Sequence, residues 1–213
     1  RQVSGDDERV DRILIEADGA EVELLAPDAV VVANAGSASF VRVWYDDELR
    51  SRVVARAMDV LSPIERYSLV DDAWAAVVAG KASAGSFLDL VRGFQDETDL
   101  RVWQAILGGL DRFVEDEPRE RLRAFARDLV RPALSRLGWE ASGDESDLTR
   151  ALRGQLVQSL AVLGADPETL AQCRELELEG EGDPQLLQAA VEAVAAEGTA
   201  EDLDRYWQRD RDA

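Results

Sequence analysis

Between residues 11 and 45 apolar and polar positions alternate with a period of two, which predicts strands. ILIEA and AEVEL flank Asp18-Gly19, a dipeptide suited to a tight hairpin because both central turn residues need positive φ. A second pair is predicted at VVVAN and FVRVWY, joined by a turn through Asn34-Ala35-Gly36, giving about four short strands. Such a sheet can bury one face against following helices, but its other face carries much apolar surface for water. The missing strands are expected upstream of Arg1.

Past Tyr45 the period becomes 3.6 and stays there. Ser62-Pro63, Asp166-Pro167 and Asp183-Pro184 read as N-cap plus first helical turn, and Gly80, Gly138, Gly164 and Gly198 as stops. Roughly nine helices are predicted, beginning near residues 47, 63, 84, 99, 118, 147, 167, 184 and 200. In the helix at 63, Glu65 occupies the capping-box position; Ile64, Tyr67, Val70, Trp74 and Val77 form its expected core face, with Arg66, Asp71 and Asp72 off it. ASGDESD (141–147) and RELELEGEGDP (174–184) read as an internal loop and a helix end followed by an acidic loop. Leu203, Tyr206 and Trp207 share one side of the last helix, with nothing after it to cover them.

Short connections make neighbouring helices antiparallel. The expected fold class is therefore mainly α: a short antiparallel β segment, part of a β-sandwich, over residues 1–46, then an irregular HEAT-like α-solenoid over 47–213.

A net charge of −20 opposes contact with a phosphate backbone, so nucleic acid is excluded as a partner. No run approaches the ~20 apolar residues of a membrane span, and RQVSGDDERV is no signal peptide. The single cysteine, Cys173, permits no intrachain disulfide and fits a reducing, cytoplasmic compartment. It reads as a small apolar helix residue. The chain starts with arginine and has one methionine, Met58, as expected of a processed product or a piece of something longer.

Histidine is absent, which decides most of the candidate chemistry. Neither an HExxH zinc site nor a Ser-His-Asp triad can be assembled. No GxxxxGK[ST] or GxGxxG marks a nucleotide cradle. Asp46-Asp47, Asp71-Asp72 and Glu115-Asp116-Glu117 are adjacent acids among 44 and read as solvated surface. SGDESD lacks the ligand spacing of a calcium loop. No catalytic, metal or cofactor residue is assigned, and the residues that would meet a substrate are unknown.

NAGSASFVRVWY (34–45) resembles the last strand pair before the helical domain of the zinc aminopeptidases that include aminopeptidase N and the endoplasmic-reticulum antigen-trimming enzymes. Asn34, Gly36, Phe40, Arg42, Val43 and Tyr45 fit that pattern, while Ser39 replaces a glycine and Val41 an aromatic residue. LSPIERYSLVDDAWAAVVAGKAS is similar to the first long helix of the family's C-terminal domain, and FQDETDLRVWQAI to a later segment through Glu97 and Trp103. The resemblance implies the end of a β-sandwich followed by the first part of a helical C-terminal domain. The family's zinc ligands, general-base glutamate, transition-state tyrosine and amino-terminus-binding motif belong to its catalytic domain and map to nothing here.

The implied role is auxiliary: the chain would cap the active-site chamber of an enzyme that removes N-terminal residues from peptides, and would help bind or restrict substrate. Zinc would belong to the parent enzyme, and the partners would be its catalytic domain and peptide substrates. An inward-facing acidic wall would favour basic peptides. The helix at 63 would be the first solenoid element and serve packing at a domain junction. The alternative from another class is a stand-alone α-solenoid scaffold gripping a protein or peptide.

Overall fold

A computed structural model describes residues 1–17, 19–113 and 119–212. It divides into two units, Arg1–Asp96 and Glu97–Ala213. The first holds a three-stranded antiparallel sheet ordered β2-β1-β3, with β1 Gln2–Ser4, β2 Asp7–Arg9 and β3 Val30–Val31. Gln2 pairs with Arg9 on one side and Val31 on the other.

This sheet differs from the expected one. Of the four predicted strands only two residues of VVVAN form a strand, whose partner is QVS; DER pairs with the other edge of QVS. Among the described residues ILIEA and AEVEL form no ladder; an isolated bridge links Glu16 to Gly19 at the turn. Gly19 takes the positive φ the turn requires, at 94°; Asp18 lies outside the described residues. The physical reason is that a strand satisfies its main chain through a neighbouring strand, and no strand pairs with these legs among the described residues. FVRVWY also forms no strand: its Val43 N–H is taken by the Asp72 carboxylate and its Val41 N–H by the Ser39 carbonyl.

Four helices complete the first unit: α1 Asp47–Ala55, α2 Ala57–Val60, α3 Pro63–Val78 and α4 Ala84–Val91. The second contains α5 Leu100–Asp111, α6 Arg119–Leu137, α7 Asp147–Ala161, α8 Pro167–Glu179, α9 Pro184–Glu197 and α10 Ala200–Asp212. Each expected helix start is met within about one residue, inside the usual uncertainty of helix ends. The four-residue α2 is additional; it follows a break at Arg56, whose φ is −118°. The caps explain the agreement: Asp46, Ser83, Asp99, Ser146, Asp166 and Asp183 each accept a main-chain N–H from the first turn of the helix that follows. Gly80 and Gly138 close α3 and α6 in the left-handed region, but Ala165 carries the positive φ after α7, and Gly198 is extended.

In the second unit α7 packs against α5, α6, α8 and α9, so alternate helices are neighbours, as in a stack of helix pairs. Its core joins Trp103, Ile106 and Leu110 of α5 to Leu129 and Val130 of α6 and Leu156 and Val157 of α7, with Ala190 and Val194 of α9 equally buried. Gly154 sets the approach of α7 to α9, since a Cβ there would lie 2.8 Å from the Gln185 carbonyl oxygen. Arg153 is fully buried and pins the 138–146 loop by donating to the Gly138 carbonyl at 2.9 Å and to Glu145 at 2.6 Å. The mainly α class with a short antiparallel β segment stands as expected, although that segment is built largely from other residues than those predicted.

Candidate functional site

The helix at 63–78 is where the first unit concentrates its polar contacts, and its burial departs from the apolar pattern. Val70 is buried, but Ile64 and Tyr67 are exposed, while Glu65, Arg66 and Asp72 are buried. A buried charge survives only when neighbouring groups compensate it, and each of these is hydrogen-bonded. Glu65 Oε1 accepts the Gly36 N–H at 2.8 Å; its Oε2 accepts the Ser62 N–H and hydroxyl, each at 2.9 Å, and the Arg1 guanidinium at 2.5 Å. Arg66 donates to the Leu61 carbonyl at 2.7 Å. One turn on, Ser68 Oγ meets Ser37 Oγ at 2.6 Å. A further turn along, Asp72 accepts from Arg42 at 3.0 Å and from the Val43 N–H at 3.1 Å, and Arg42 also bonds Asp71.

Positions 65, 68 and 72 follow helical spacing, so the capped helix presents a polar ladder to the segment NAGSASFVRVWY. That segment is also closed on itself. Asn34 donates to the Ser39 carbonyl at 2.9 Å and accepts the Ser39 N–H at 3.0 Å; the Tyr45 hydroxyl accepts the Ala33 N–H at 3.0 Å. Two of the three stretches that carry the family resemblance are thus two sides of one joint. Its residual cavity, about 20 Å³, has room for little more than a water. Substrate has no space there, and the ladder serves packing.

Burial alone would push the Glu65 carboxyl up, but the Gly36 and Ser62 amides and Arg1 hold it below its ordinary value. Asp166 follows the same logic: burial raises it, and Thr169 and Arg131 bring it below the usual range. Burial lifts the Cys173 thiol to about 11, which leaves it unreactive near neutral pH. No two acids are set apart in the manner of an acid–base pair among these. Asp46 is a helix cap and Asp71 and Asp72 bind Arg42, while Glu115, Asp116 and Glu117 lie outside the described residues. Among the described residues no group of three His, Cys, Asp or Glu could hold a metal ion, and no helix is long and apolar enough to cross a membrane.

The second unit contains a groove that the sequence reading missed. It lies between α5 and α7, encloses about 340 Å³, and is lined by Gln104, Asp111, Gln155, Gln158 and Ser159 together with apolar residues. Gln158 donates to Glu192 at 2.7 Å, which fixes one amide. Primary amides both donate and accept, the capacity that a peptide main chain requires. The available signal was a pair of glutamines, Gln155 and Gln158, three residues apart in the predicted helix. No motif marks such a pair, because only the neighbouring helix makes it a wall.

The chain is a mainly helical one with a small antiparallel sheet, in which a capped helix buttresses the segment 34–45. Comparison with known proteins agrees. The ERAP1-like C-terminal domain profile matches residues 30–213, and the chain belongs to that family. It is 35% identical over 144 residues to aminopeptidase M1-A of Oryza sativa subsp. japonica, covering 64% of this chain and 16% of that protein. Aminopeptidase 2 of Candida albicans is 27% identical over 169 residues, 76% of this chain and 18% of its own length. Tricorn protease-interacting factor F2 of Thermoplasma volcanium is 26% identical over 140 residues, 65% of this chain and 18% of the relative. The chain spans less than a fifth of the length of these curated relatives. The resemblance to the C-terminal region of the aminopeptidase N family therefore holds.

Proposed function

We propose that this chain serves an aminopeptidase as a non-catalytic C-terminal region that caps the reaction chamber and restricts which peptides reach it. The zinc-bearing catalytic region is its partner and lies outside these residues. Zinc does not fit the donor set at hand: there is no histidine, and the one cysteine is fully buried with its thiol pushed up to about 11. The observation that carries the reading is the family match over 30–213 in a chain without histidine.

A HEAT-like stack of helix pairs would exclude water and folded proteins while admitting an extended chain. The amide-lined groove between α5 and α7 supports contact with the peptide main chain. The net charge of −20 favours basic peptides where it faces the chamber. A cytoplasmic location belongs to the same reading, since a lone buried cysteine needs no oxidising compartment.

The test is hydrolysis of amino-acid p-nitroanilides. The purified chain is expected to show none, with or without added zinc, whereas the same chain joined to the metal-binding region encoded with it hydrolyses them and discriminates between short and long peptides. Zinc-dependent turnover by the chain alone would refute the proposal.

A further inference from the structure

The groove between α5 and α7 combines three kinds of surface. On α5, Gln104 and Asp111 line it about 10 Å apart along the helix axis, with Leu107 between them. The amides are polarised by their neighbours. Gln155 donates to Gln158 at 3.5 Å and Gln158 to Glu192 at 2.7 Å, while Arg101 donates to Gln104 at 3.3 Å. These bonds use the Gln155 amide nitrogen and the Gln104 carbonyl oxygen, which leaves Gln155 Oε1 to accept and Gln104 Nε2 to donate. Asp111 is the one carboxylate in the lining, and among the described residues it has no hydrogen-bond or ion-pair partner. It is also the last residue of α5, where unsatisfied helix carbonyls add partial negative charge. Leu107 and Val162 give the groove an aliphatic lining.

We infer that this groove takes the side chain of a lysine or arginine from an extended peptide, with the peptide main chain on Gln104 and Gln155 and the cation on Asp111; that the peptide is one handled by an aminopeptidase rests on the function proposed above. Lysine and arginine carry a long apolar stem under a charged head, which matches an aliphatic lining that ends in a carboxylate. A main-chain N–H and C=O match one open acceptor and one open donor. Arg101 sets the direction, since a second cation is repelled beside Gln104 and attracted at Asp111. An anionic ligand would meet Asp111, the negative pole of α5 and Glu192, and is a poor occupant. Attraction by the net charge of −20 is a separate effect, because it acts on any cation over the whole surface and does not single out one carboxylate.

The test is titration of the chain with N-acetylated, C-amidated Ala-Lys-Ala, followed through the methyl resonances of Leu107 and Val162. The same peptide with norleucine in place of lysine is expected to bind about fivefold or more weakly, and Asp111→Asn to erase that difference. Asp111→Asn removes a charge that the end of α5 disfavours, so the helix stands. Gln155→Leu is expected to weaken both peptides alike, and a loss confined to the lysine peptide would overturn the placement of the main chain. Equal affinity for the two peptides, a lysine preference that survives Asp111→Asn, or methyl resonances that do not move overturns the site. A preference that fades with added salt equally in Asp111→Asn and in the parent identifies diffuse attraction and also overturns it. Hydrolysis of p-nitroanilides by the chain joined to its metal-binding region is read separately. Hydrolysis with an indifferent groove removes the site and leaves the aminopeptidase reading standing; lysine preference without hydrolysis keeps the site and removes the aminopeptidase.

Discussion

Residues 10–24 and the α7–α9 pair are both rich in aliphatic side chains, yet the first are exposed and the second buried. A helix satisfies its main chain from within and needs only something to cover one face; α7 and α9 cover each other. A strand depends on a neighbour for its hydrogen bonds as well as for its burial. The segment at 30–45 shows a third solution. There the carboxylates of α3 stand in for a strand partner, with Glu65 holding the Gly36 amide and Asp72 the Val43 amide.

The largest effect is expected where apolar packing does the holding. Trp103 is fully buried and its indole N–H donates to the Glu97 carbonyl at 3.0 Å. Trp103→Ala should cost ~3–5 kcal/mol in a denaturant melt, and a loss under ~1 kcal/mol would show that α5 is not part of that core. Next comes the carboxylate joint. Glu65→Ala strands two amides and the Arg1 guanidinium, and is expected to cost ~2–4 kcal/mol.

The same joint carries a pH signature. Because the folded Glu65 carboxyl titrates below its ordinary 4.5, its contribution is complete above that value and disappears as pH falls through the folded one. Stability therefore declines on acidification, and Glu65→Gln should flatten that decline; an acid limb as steep as in the parent would count against the joint.

Gly154→Ala is smaller. The added methyl meets the Gln185 carbonyl, so α7 and α9 must separate, at ~1–3 kcal/mol less the helix propensity regained. Smallest of all is Leu14→Ser, expected to shift the isolated chain by ~0.5 kcal/mol or less. A substantially larger loss would mean that the exposed legs already hold something.

Helices were legible because their signals are local. Ser62 with Glu65, Asp166 and Asp183 announce helix starts through contacts within three residues, and the structure makes those contacts. The ladder of α3 was not legible in the same way. Apolar periodicity pointed to Ile64 and Tyr67 as core, but the pairing partners of Glu65 and Asp72 lie 29 residues or more away at Gly36 and Val43 and turn charged positions inward. The groove between α5 and α7 escaped notice for a related reason: Gln104 and Gln155 become one wall only when two helices meet.

Sequence alone settled the mainly α class and where each predicted helix starts; it also excluded a histidine-based metal site or triad, because composition and caps act at short range or not at all. Tertiary structure decided which side of α3 is inside, which of the β-patterned stretches became strands, and that Gly154 brings α7 against α9. Those outcomes depend on what lies across from a residue, and neither a two-residue nor a 3.6-residue period encodes the identity of the neighbour.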